Sequence, residues 1–231
     1  MSRSTFISTC TTSNKDHLHK VSPEYPLEKI RIIHHGLDLK QFDCVIEKKN
    51  ETYEILSVGT LQYYKGFNYL LESLALLKQR GLKFHCTIVG GGPEEKNLKE
   101  QRSRLGLEGE VTMTGPLKQN EVIPHYKKAD VSVLMAQSEW HWGIPNVLIE
   151  SLAARTAVIT TLFGSVEELI QHERTGLIVT AKDPVSLADA LERYARDKTL
   201  RQAHVEAGNA LVRREFTLEQ NVKEYLERFS V

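Results

Sequence analysis

The chain has 231 residues, with 30 Lys+Arg balanced by 30 Asp+Glu and a formal net charge of zero. An apolar share of 41% and a charged share of 26% are those of an ordinary globular protein; they exclude wholesale disorder and give no support to nucleic-acid coating by bulk charge. Cys10, Cys44 and Cys86 match neither a disulfide framework nor a zinc pattern, and no apolar run reaches the ~20 residues of a membrane span.

Residues 1 to about 45 read differently from the rest. STFISTC is a short strand-like piece, followed by polar residues and then PLEKIRIIHHGLDLKQF. From Tyr53 the pattern becomes regular. YEILSVG reads as a buried strand, and GFNYLLESLALLKQRG places apolar residues at 67, 70, 71, 74 and 77, one face of a helix. FHCTIVGGG is a strand, PEEKNLKEQRSRLG a polar helix, and EVTMTG a short strand. EVIPHYKKA reads as a brief helix that Pro124 must begin or interrupt. ADVSVLMA, AVITT and TGLIVT are strands; NVLIESLAAR and SVEELIQH are helices between them. Three helices follow: DPVSLADALERYARD, TLRQAHVEAGNALVRREF and TLEQNVKEYLERF. Asp183 and Thr217 stand at cap positions, and Pro184 sits where a first-turn proline is tolerated. Six Val/Ile-rich strands alternating with helices predict a parallel sheet covered on both faces. The expected fold is α/β, a Rossmann-like doubly wound parallel sheet with C-terminal helices.

Ligands of such sheets sit outside the carboxyl ends of the strands. In SVGTLQYYKGF, Gly59 and Thr60 end a strand and Lys65-Gly66 opens a helix, a good place to hold phosphate. VGGGPEE is neither G-x-G-x-x-G nor a Walker loop; it reads equally as a tight turn, with Glu94 and Glu95 suited to capping. SEWHWGIPNVLIESLA carries the most information. Asn146 is the expected N-cap, with the free amides of Val147 and Leu148 forming an anion site and Glu150 one turn inside, suited to a ribose diol. Trp140 and Trp142, the only tryptophans, flank His141 in that loop. Gly164-Ser165 offers a further small, donor-rich helix start, with Glu167-Glu168 consistent with capping its first turn. The nine histidines show no metal spacing, and no G-x-S-x-G elbow is present.

From about residue 29 onward these segments resemble, in order and spacing, the C-terminal donor-binding half of a GT-B, group-one (family-four) retaining glycosyltransferase. IRIIHHGLDLKQF resembles its interdomain linker; SVGTLQYYKGFNYLLESLALL, IVGGGPEEKNLKE, VTMTGPL, GIPNVLIESLA and GSVEELIQHERTGLIV follow. The resemblance implies that residues 1–45 are a remnant of an acceptor domain with the linker, and that 46–231 bind a nucleotide-sugar. It implies Lys65 as clamp of the donor diphosphate and Asn146, Val147 and Leu148 as the helix start facing it. Glu150, second glutamate of the E-x7-E motif, would bind the ribose, and Gly115, Pro116 and Leu117 would lie near the base. The donor is a UDP-, GDP- or ADP-sugar, used as substrate with no cofactor and no metal.

Two positions depart from that family. Thr60 stands where it carries an arginine beside Lys65, and Trp142, eight residues before Glu150, stands where it carries the first motif glutamate. Glu139 is the substitute if the loop folds back, and the catalytic group is otherwise unassigned. The expected function is sugar transfer with retention, completed by a separate acceptor-binding domain or subunit. The alternatives are a non-catalytic nucleotide-sugar-binding scaffold and, more remotely, an epimerase on the same architecture. Residues of the last helix (Val222, Tyr225, Leu226, Phe229) and Phe216 before it would be exposed, or covered by a partner or by the N-terminal piece. A cytoplasmic protein is expected, with no nucleic-acid partner and no transmembrane segment; neutral charge leaves peripheral membrane contact open.

Overall fold

The structure, a computed structural model, describes residues 6–43, 52–137 and 143–229. It begins with a small unit: β1 (Ile7–Thr9), α1 (Thr12–Val21) and β2 (Ile30–Ile32), whose two strands pair in parallel. The main sheet follows. Its strands are β3 (Tyr53–Val58), β4 (Phe84–Val89), β5 (Val111–Gly115), β6 (Val131–Leu134), β7 (Ala157–Thr161) and β8 (Leu177–Val179). They lie in the order β5-β4-β3-β6-β7-β8, all parallel. Numbered from β3, that is the Rossmann order 3-2-1-4-5-6, which reverses direction between its first and fourth strands.

The helices between strands are α2 (Phe67–Gln79), α3 (Glu95–Arg104), α4 (Gln119–Lys128) and α5 (Asn146–Ala153), and the chain continues through α6 (Pro184–Arg196), α7 (Lys198–Glu215) and α8 (Leu218–Phe229). All five apolar positions that the spacing singled out on α2 are at most 2% exposed. They build one core with Leu98 of α3 and Leu187, Leu191 and Tyr194 of α6. A second core on the opposite face of the sheet gathers Tyr126 of α4, Leu148, Ile149 and Leu152 of α5, and Leu211 and Val212 of α7. Both faces are therefore dry, which is why the strands read as continuous apolar runs. Asp183 and Thr217 do cap α6 and α8: Asp183 accepts from the Val185 and Ser186 amides, and Thr217 from that of Gln220.

Four expectations need correction. Pro124 neither begins nor interrupts its helix; α4 starts five residues earlier, at Gln119, and carries the proline inside. The start of that helix is closed by the Glu121 side chain, which accepts from the Lys118 amide at 2.8 Å. SVEELIQH forms only a single 3-10 turn, Val166–Glu168. Val166, Leu169 and Ile170 are fully buried on the spacing of one helix face, but the helical ladder is not continued: the Gln171 amide donates to Thr175 Oγ1 at 2.8 Å instead. Glu168 does not cap that turn. It accepts from the Thr12 amide at 2.8 Å, while Ser165 Oγ accepts from the Ser13 amide at 3.0 Å, so this turn caps α1 of the small unit. Glu94 likewise makes no cap bond; its carboxylate accepts from Asn97, and Glu95 pairs with Lys99.

The chain ends join the two parts. The Leu37 amide donates to the Phe216 carbonyl at 2.9 Å and the Leu218 amide to the Leu37 carbonyl at 3.0 Å. Phe216 is fully buried and stacks on His34 at 4.7 Å. On α8, Tyr225 hydrogen-bonds Ser8 at 2.9 Å and Phe229 packs on Phe6 at 5.5 Å. The N-terminal piece thus covers part of that helix, while Val222, Leu226 and Phe229 stay 46–70% exposed.

Candidate nucleotide-sugar site

The reversal in strand order opens a crevice at the carboxyl ends of β3 and β6, and the loops leaving these strands are tied together. The Gln137 amide donates to the Tyr64 carbonyl at 2.8 Å, and Gln137 Nε2 to the Tyr63 carbonyl at 3.3 Å. Gly66, at φ +70°, presses on the Met135 backbone so closely that a Cβ would overlap its carbonyl oxygen. Lys65 is therefore held beside the segment that runs from β6 towards α5. Its side chain is half-buried, with Nζ 5.7 Å from the Tyr64 ring centroid, and no carboxylate pairs with it among the described residues. Burial pulls its pKa below the ordinary lysine value. A cation paying desolvation without a protein counter-ion is a group arranged for an external anion. A pocket of about 240 Å³ opens next to this loop, lined by Gln62, Tyr63, Phe67, Asn68, Glu94 and Gln137.

Gly59 is half-buried, and the Gly90 loop crosses its carbonyl. Gly90 has φ +146°, and a Cβ there would overlap the Gly59 carbonyl oxygen; Gly92, at φ +158°, abuts the Leu61 backbone. The triple glycine is thus a tight crossing of two loops. Thr60 is exposed and brings no charge to the crevice.

At α5, Pro145 is the N-cap, with ψ 133° and no side chain able to cap, and Asn146 is the first helical residue. The Leu148 amide is taken by the Pro145 carbonyl at 3.0 Å and its side chain is fully buried, so Leu148 offers the ligand nothing. The amides left without a partner among the described residues are those of Asn146 and Val147, one position earlier than the sequence suggested. The Asn146 side chain lies beside His35 of the linker. Burial pushes that imidazole below its ordinary pKa, Asn146 pulls the other way, and His34 adds to the depression. Gly143 lies against the small unit, where a Cβ would sit 3.5 Å from Cys10 Sγ. Glu139 and Trp142, with the rest of residues 138–142, fall outside the described residues.

Glu150 sits one turn into α5, half-buried. Tyr126 Oη donates to its Oε2 at 2.8 Å and Gln119 Nε2 to its Oε1 at 3.4 Å. Burial raises the carboxyl pKa above its ordinary value, and these two bonds oppose the rise. Both donors come from α4, which begins two residues after the Gly115–Leu117 turn; Gly115 has φ +76°, Pro116 is exposed and Leu117 half-buried. The sequence reading missed Tyr126 and Gln119. Their spacing of seven residues places both on one helix face, but does not show that this face meets Glu150.

Residues 40–210 match the profile described as Glycosyl transferases group 1, which is most of the chain. The chain belongs to this family. It is 32% identical over 176 residues to the putative colanic acid biosynthesis glycosyltransferase WcaL of Escherichia coli K12, covering 74% of this chain and 43% of that protein. It is 30% identical over 213 residues to the amylovoran biosynthesis glycosyltransferase AmsK of Erwinia amylovora, covering 89% and 52%. The chain thus spans about half the length of the curated relatives it matches. Among solved structures, Anabaena Alr3699/HepE in complex with UDP and glucose superimposes with a TM-score of 0.84 over 98% of this chain and 63% of that one, at 18% identity. The C-terminal domain of LpcC, a glycosyl transferase group 1 family protein of Francisella tularensis, is covered entirely and covers 79% of this chain, with 25% identity and a TM-score of 0.68. Among the described residues no cluster of His, Cys, Asp and Glu could hold a metal ion, and no helix is long and apolar enough to cross a membrane.

Proposed function

We propose that residues 46–231 are the donor-binding, C-terminal half of a retaining GT-B glycosyltransferase, and that residues 1–45 are the edge of its acceptor domain with the linker. The carrying observation is the half-buried Lys65, without a carboxylate partner among the described residues, at the carboxyl ends of β3 and β6, the place where an open α/β sheet binds ligands. Lys65 and the amides of Asn146 and Val147 hold the donor diphosphate. Glu150 accepts from the ribose hydroxyls, and the Gly115–Leu117 turn borders the base. The UDP carried by the Anabaena neighbour supports a nucleotide-sugar as donor.

In the transfer step the leaving diphosphate gathers negative charge, and a fixed cation with helix-start amides stabilises that charge more than the ground state. An acceptor-binding unit, from further sequence of the same protein or from a separate subunit, holds the acceptor whose hydroxyl attacks the anomeric carbon as the diphosphate leaves, and excludes water. Thr60 favours a second reading, a nucleotide-sugar-binding scaffold, because the diphosphate has one side-chain cation instead of two. Calorimetric titration with UDP, GDP, ADP and their sugar conjugates tests the proposal. Base-selective binding that is lost in Lys65→Ala and Glu150→Ala supports it. A folded chain that binds none of them at millimolar concentration refutes it, and binding without transfer once an acceptor unit is supplied selects the scaffold.

A further inference from the structure

Glu150 is oriented from outside its own helix, and the two groups that orient it share an origin. The Tyr126 ring is 1% exposed and meets Phe42 edge-on at 6.4 Å, while Thr156 Oγ1 donates to its backbone carbonyl at 2.5 Å. That ring cannot swing. Its hydroxyl therefore fixes Glu150 Oε2 at 2.8 Å, and Gln119, seven residues earlier on α4, reaches Oε1 at 3.4 Å. An ionised carboxylate has about four acceptor sites. With one donor on each oxygen among the described residues, each oxygen keeps one further acceptor site, enough for two neighbouring hydroxyls of a vicinal diol.

We propose that α4 positions Glu150 for bidentate recognition of the nucleotide ribose diol, with Tyr126 and Gln119 as positioning residues. This rests on the assignment of Glu150 to the ribose. Because α4 also follows directly from the Gly115–Leu117 turn, it sets the spacing between the loop that borders the base and the carboxylate that reads the sugar. The Tyr126 hydroxyl also counters the desolvation of Glu150, so its removal drives the carboxyl further towards the neutral form, which accepts less well.

The test is the ratio of affinities for UDP and 2′,3′-dideoxyuridine diphosphate, measured on the full chain by calorimetry. The unaltered protein prefers UDP. Tyr126→Phe keeps the ring and its packing and is expected to cut that preference about fivefold or more, leaving the dideoxy affinity nearly unchanged. Gln119→Met, at an exposed position, shifts the ratio the same way by less, and it decides the matter if the Tyr126 variant does not fold. A purely structural role for the hydroxyl would weaken both nucleotides alike and overturn the proposal. An unchanged ratio in the folded variants overturns it too, while a ratio collapsed by Glu150→Gln would still leave the ribose assignment standing. No preference for UDP in the unaltered chain, or none lost in Glu150→Gln, refutes that assignment and this inference with it.

Discussion

Lys65 offers a prediction in which function and stability separate. Lys65→Met keeps the length of the stem and removes only the charge. For a diphosphate, one lost charge-assisted contact is worth ~1.5–3 kcal/mol, so UDP should bind ~10- to 150-fold more weakly. For the unliganded fold, two small effects oppose each other. The ammonium lies 5.7 Å from the Tyr64 ring, an attraction of about 0.5–1 kcal/mol, but its burial is unfavourable and no carboxylate offsets it among the described residues. The melting temperature should therefore move by no more than ~2 °C. Calorimetry with UDP and with uridine reads the first effect and scanning calorimetry the second. Uridine carries no phosphate, so its affinity should be the same in both proteins. Equal UDP affinity would refute the clamp, and parallel weakening of UDP and uridine would show that the substitution disturbs the site as a whole.

Further outcomes follow from the fold. Gly90→Ala sets a Cβ against the Gly59 carbonyl at φ +146°; strain of ~1–3 kcal/mol plus ~1 kcal/mol for weakening the Leu61 amide's bond to the Gly91 carbonyl (3.0 Å) between the two loops should lower the melting temperature by ~5–15 °C. A normal melting temperature would mean that the two loops do not cross as described. Phe216→Ala removes a fully buried ring and should cost ~3–5 kcal/mol in denaturant unfolding; a loss below ~1 kcal/mol would contradict its place in the core. Burial depresses the pKa of His204, bonded to Tyr194 at 2.7 Å, below 6.5, and does the same to His35 and His125. The unfolded chain therefore takes up protons first as pH falls. Stability complete above about pH 6.5 should decline through the folded-state values below it, and His204→Gln should flatten that decline. An identical pH profile for the variant would exclude His204 as a contributor.

The strands, their parallel class and the buried face of α2 were legible because each depends on local periodicity: Val/Ile runs for strands covered on both sides, and 3–4 spacing for a helix buried on one. Asp183 and Thr217 were legible for the same reason, since a cap bonds amides two or three residues away. Local pattern misled at Val166, Leu169 and Ile170, whose spacing is that of a helix face although the Gln171 amide leaves the helical ladder for the Thr175 hydroxyl. It also misplaced the N-cap of α5, because Asn146 has the residue type of a cap but Pro145 has the extended backbone. Nothing local could show that Glu168 caps α1 from 156 residues away, that Gly90 crosses Gly59, or that Tyr126 and Gln119 hold Glu150. Sequence determined which residues carry charge, glycine freedom and apolar faces. Only the tertiary structure decided which of these meet, because hydrogen bonds and close packing act across a few ångströms of space, whatever the distance along the chain.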